Sequence, residues 1–134
     1  MDYISYRFTV PLETHYDKPN RNGVVYSKEA ITKMIESEYF KELERNKCIF
    51  ITPGFPRDCT IDPISVVGRV NSLDIENGTA DISTNKYVYL LYDNGCDMTL
   101  GMNYTGKINN NKKVTNMKFI SFSLIDRNTG KFIL

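Results

Sequence analysis

The chain has no tryptophan, one histidine (His15), three cysteines and no uncharged apolar run longer than a few residues. Each scarcity removes a class of protein. A membrane-crossing helix needs about 20 consecutive apolar residues, and no stretch here supplies them. Cys48, Cys59 and Cys96 are odd in number and form no CxxC pair, and with a single histidine they make a poor zinc site. They read as free, partly buried thiols. Charge of one sign is lacking too: 17 basic against 16 acidic residues leave +1, which offers no broad attraction for nucleic acid or an anionic membrane. The N-terminus carries an early acid and alternates instead of forming an apolar block, so it does not read as a signal peptide. The expected location is a reducing cytoplasm or a particle assembled there.

What is present is enough for one domain spanning residues 1–134. Nine tyrosines and seven phenylalanines lean toward β structure. Residues 3–12 alternate and read as a strand. Gly23 closes a polar turn, where a positive φ is expected. Ser27 has the chemistry of an N-cap, with Glu29 in the first turn behind it. The helix it opens runs to about Asn46, with a slip in its apolar spacing near Ser37-Glu38 that suits a break into two. Residues 48–51 form a compact strand signal, ended by Pro53-Gly54-Phe55-Pro56. Residues 65–75 and 79–83 pair around Asn77-Gly78, read as a type I′ turn. Tyr87–Tyr92 is an apolar run that suits a strand or a short helix. Residues 98–104 and 114–126 are strand-like around a polar Asn109–Lys113 tip, and residues 131–134 read as a short last strand. The fold class expected is α+β, a mostly antiparallel β domain with one main helix near the N-terminus.

Chemistry is thin. His15 sits in a polar connection and reads as a surface side chain, although its imidazole is the one ordinary base candidate. Asp58, Asp62, Asp74 and Asp81 are scattered over turns and strand ends, with no spacing that suits a carboxylate dyad or a calcium loop. Ser65, Ser72, Ser121 and Ser123 lie in strand-like runs with no base beside them in sequence. No phosphate-binding glycine motif or HExxH helix is present. On residue chemistry alone there is no catalytic, cofactor or metal site.

The stretch from Pro19 to Ile31, PNRNGVVYSKEAI, resembles the NRNGR-(I/V)-YP-KE segment of tailed-phage prohead maturation proteases. The similarity extends over roughly residues 8–126 by order and spacing. Ile51 to Pro56 matches a strand ending in GEL-(D/x)-HP. Residues 65–70, SVVGRV, match a (V/I)SH strand. Residues 95–106, GCDMTLGMNYTG, match the serine segment GV-x-x-G-(V/I)-SSRG, and residues 114–125 match the last core strand. The resemblance implies a catalytic histidine from the HP motif and a catalytic serine from SSRG. Here Phe55 holds the histidine position. The serine position falls on Gly101 or Met102, or with a two-residue gap on Asn103 or Tyr104. Val66 replaces the histidine of the SH pair. Thr99 and Thr105 are nearby hydroxyls without an imidazole.

Losing one partner of a catalytic unit costs several powers of ten, and losing both points to peptide hydrolysis no longer being selected. The resemblance therefore implies a prohead-protease-like barrel or sheet without catalysis, with Phe55 packed where a histidine stood. The expected role is a non-enzymatic phage virion protein, a capsid auxiliary or decoration protein bound to the major capsid protein or another virion protein. No cofactor, metal, nucleic acid or membrane is expected, and a homo-oligomer on a lattice is compatible. The alternatives are a maturation protease with a rearranged site, using Cys96, Cys59 or a threonine, and an assembly or scaffold factor.

Overall fold

A computed structural model describes residues 3–13, 16–20 and 22–133. The strands are β1 (Tyr6–Pro11), β2 (Val25–Tyr26), β3 (Phe50–Ile51), β4 (Gly68–Asp74), β5 (Thr79–Thr84), β6 (Met98–Ile108) and β7 (Lys113–Asp126). The helices are α1 (Lys28–Ile35), α2 (Glu38–Arg45) and α3 (Lys86–Asp93). All seven strands join one sheet. Its order runs β1-β5-β4-β3-β7, with β6 along one edge of β7 and β2 and β3 on the other. The sheet curls until its outer strands meet. Leu12, just past β1, bridges Leu100 of β6, the Glu13 amide donates to the Leu100 carbonyl at 2.9 Å, and the Thr99 hydroxyl donates to the Pro11 carbonyl at 3.0 Å.

The sheet is mixed, which corrects the mostly antiparallel expectation. β7 is joined in parallel by both β2 and β3, each only two residues long. Their partner lies far along the chain, so alternation within either segment carries no information about direction. The expectation of one main helix is corrected as well, in favour of the two shorter helices that the slip near Ser37-Glu38 also allowed. Ser37 accepts from the Phe40 amide at 3.2 Å and starts a new helix, so α1 and α2 are separate. A third helix lies between β5 and β6, where Asn85 accepts from the Val88 amide at 3.0 Å. The type I′ turn is also corrected. The loop between β4 and β5 has four residues, and only Gly78 is left-handed (φ 69°). The Asp74 carboxylate holds this loop by accepting from the Asn77 amide at 3.1 Å. The expected last strand amounts to one bridge, Ile125 to Phe132, among the described residues.

One core fills the sheet's interior, with Val10, Ile51, Ile82, Leu100, Phe119 and Phe122 at its centre. Phe40 brings α2 onto it, edge-on to Phe119 at 5.2 Å. A smaller cluster of Tyr26, Ile31 and Val114 seats α1 over β7. The β6–β7 register slips between Asn103 and Tyr104, where β7 carries one extra residue, Ile120. This bulge reverses the alternation of β7, so Phe119 and Phe122, three apart, both reach the core.

Candidate functional site

The bulge leaves Ser121 and Ser123 on the face of β7 turned from the core, where alternation places water. Both are nevertheless completely buried. The turn that follows β3, Thr52 to Pro56, folds over them. Asn103 of β6 lies directly opposite Ser121 and completes a polar cluster. Its side-chain amide donates to Ser121 Oγ at 3.0 Å and to Ser123 Oγ at 2.7 Å. Ser123 donates to the Gly54 carbonyl at 2.9 Å, and Thr52 donates to the same carbonyl at 3.0 Å. Ser121 and Thr52 lie 2.9 Å apart. With Thr52 committed to Gly54, Ser121 is the donor in that pair. Two relays therefore run from Asn103 to Gly54, one through Ser123 and one through Ser121 and Thr52. Each hydroxyl accepts once and donates once, and no buried side-chain polar atom among the described residues lacks a partner.

The two stretches that the sequence sets against the family's histidine and serine motifs therefore meet here. Asn103 Nδ2 also approaches the Gly54 carbonyl at 3.4 Å. Phe55, however, does not fill the site. It is 50% exposed, which corrects the expectation that it packs inward: the turn hands its carbonyl, not its ring, to the interior. Phe132, 51% exposed, is the ring that closes on Gly54, with Cδ2 3.4 Å from where a Cβ would stand. Beside the cluster is an open groove of about 350 Å³, lined among others by Glu13, Asn20, Asn22, Tyr26, Asn103 and Phe132. The polar turn of the opening motif thus reaches the same place. Asn20 Oδ1 accepts from the amides of Asn22 and Val24 at 2.9 and 3.0 Å, and Gly23 takes the expected positive φ, 76°. Tyr26 meets the Tyr104 hydroxyl at 3.2 Å, and burial first, then this contact, holds its phenol protonated far above the ordinary range.

The remaining sequence candidates separate. His15 lies outside the described residues. Cys96 precedes β6 and packs on the core rim. Met98 and Asn103 lie five rises apart along β6, about 17 Å at the usual spacing, and Cys96 is further along the chain still. Burial, then Asp126 and Asp97, push its thiol pKa up, the reverse of an activated nucleophile. Cys59 is exposed and shares a second groove, about 470 Å³, with Thr105, Tyr39 and Lys118. Thr99 is spent on closing the sheet, and Val66 sits in the connection before β4. The acids hold structure: Asp62 caps the turn at Pro63–Ser65, Asp74 holds the β4–β5 loop, and Asp81 binds Arg7 through contacts of 2.8, 3.0 and 2.9 Å. Among the described residues, no group of three or more metal-ligating side chains converges. Sequence reading considered Asn103 only as a missing serine, and it missed Thr52. The available signal was a pair of serines alternating with large apolar residues, in a strand that ends up covered on both faces.

No family model and no curated protein matches this chain. A solved structure does: the bacteriophage T4 capsid assembly protease, gp21, at TM-score 0.71 and 13% identity, covering 86% of this chain and 77% of that one. The chain therefore has the fold of a capsid assembly protease, in agreement with the resemblance read from its motifs.

Proposed function

We propose that this chain is a phage capsid-associated protein that keeps a prohead-protease scaffold and binds the shell as an auxiliary or decoration protein without cleaving it. The observation that carries this reading is the closed network at the meeting point of the two motif counterparts. A serine nucleophile needs a base to take its proton and donors to hold an oxyanion. Here the hydroxyl protons of Ser121 and Ser123 go to neutral oxygens, and the Asn103 amide is spent on the serines themselves. The raised pKa of Cys96 argues against the rearranged-cysteine alternative.

Binding would use the rim of the filled site. Phe55 and Phe132 stand half-exposed beside it, and aromatic rings of this kind anchor interfaces when a partner covers them. The test is to mix the purified protein with unprocessed shells of the same phage, sediment them, and weigh the shell protein by mass spectrometry. Co-sedimentation at a fixed ratio, weakened by Phe55→Ala and Phe132→Ala, with the shell protein's mass unchanged, is expected. Shortened shell protein, or no co-sedimentation, contradicts the reading.

A further inference from the structure

The outer face of α3 stands out because its inner face is so well fixed. Tyr89 stacks on Tyr6 at 5.3 Å, Tyr92 stacks on Phe8 at 4.2 Å, and Val88 is fully buried. The outer stripe is apolar as well: Tyr87 is 72% exposed, Leu90 41% and Leu91 39%. Together with the exposed parts of Tyr6 and Tyr92 this makes a patch of roughly 400–500 Å², at the size where a monomer's largest patch is often functional.

The charges at its ends are arranged unlike those of the other helices. α1 and α2 place an acid in the first turn and a base in the last, as the helix dipole favours. α3 does the opposite, opening on Lys86 and closing on Asp93. The two lie seven residues apart, two turns, on the same side as Leu90. Neither has an ion-pair partner among the described residues.

We infer that this face is a self-association surface, on which α3 packs antiparallel against α3 of a second copy about a two-fold axis. A two-fold contact must be self-complementary, and this one is. Lys86 of each copy meets Asp93 of the other, Leu90 meets its own mate near the axis, and Tyr87 lies over Leu91 across it. Each reversed charge then finds an opposite charge that its own helix does not supply. The buried area, about 1,000 Å² over both copies with the charged ends included, is at the threshold for a specific contact. The exposed ion pairs fix the register more than they hold the dimer, since salt screens them. The inference does not depend on shell binding, and its failure would leave that reading intact.

The test uses sedimentation equilibrium on the full chain and on two charge reversals, Lys86→Asp and Asp93→Lys, each alone and mixed. The natural chain should show a monomer–dimer equilibrium. Each variant alone sets like charges together at both ends, and dimerisation should weaken by about tenfold or more. An equimolar mixture of the two restores both pairs in a heterodimer and should recover the natural association. Circular dichroism should be unchanged throughout, since both positions are exposed. A natural chain that stays monomeric up to roughly 1 mM, where even a contact worth only about 4 kcal/mol would be half populated, overturns the inference and gives the patch to a different protein. A dimer indifferent to both reversals overturns the placement on α3.

Discussion

Asn103 is the residue on which the buried polar cluster depends. It is the amide that supplies both hydroxyl relays, so replacing it by leucine leaves Ser121 and Ser123 without the donor they accept from. Asn103→Leu should cost about 1–3 kcal/mol of stability, read by denaturant unfolding. A second prediction separates the two kinds of phenylalanine. Phe122 is 3% exposed in the core, and Phe122→Ala should cost about 3–5 kcal/mol, whereas Phe55→Ala should stay within about 0.5 kcal/mol. A third concerns pH. The Arg7 guanidinium, through its hydrogen bonds, holds the Asp81 carboxyl below its ordinary value of 3.8. A carboxyl with a depressed folded pKa stabilises the fold above its unfolded pKa and loses that contribution as pH falls through the folded one. The stability difference between the natural chain and Arg7→Met should therefore be present at neutral pH and fade below about pH 4, as paired unfolding curves will show. At this scale the sequence was legible where chemistry is local, as with Ser27 capping α1 and Gly23 turning the chain. It was not legible where a partner lies 69 residues away, as for Thr52 and Ser121.

At the scale of elements, the break at Ser37 is a local event and was visible as a slip in the apolar spacing. Its hydroxyl does double duty, accepting from the Phe40 amide and donating to the Met34 carbonyl at 2.6 Å. Ser37→Ala should destabilise the fold by about 1 kcal/mol in thermal unfolding, while leaving the surface of α3 unchanged. The ambiguity of Tyr87–Tyr92 had a physical origin: an apolar run with rings on both sides carries neither a clear period of two nor one of 3.6. Tertiary packing decides it, since Tyr89 and Tyr92 stack on β1 while Tyr87 and the leucines face out. The mixed sheet was hidden for a related reason. β2 and β3 are two-residue strands whose direction is set by β7, and β7 owes its reach to a bulge that no local pattern announces.

For the whole molecule, the order of segments from the NRNG turn to the last core strand agreed with the fold, although identity to the T4 protease is only 13%. A fold can be shared at that identity because closing the same sheet constrains hydrophobic order more than it constrains the side chains at any one site. The central claim is that such a scaffold serves the particle without cutting it. The most direct measurement takes the proposed reading at its word: a quantitative protein inventory of proheads and mature virions of the phage it implies, with the N-termini of all shell proteins mapped, in the presence and absence of the gene for this chain. The account predicts many copies retained in mature particles and the same N-termini whether or not the gene is present. Loss of the protein on maturation, together with new N-termini on shell proteins that vanish when the gene is removed, would contradict it.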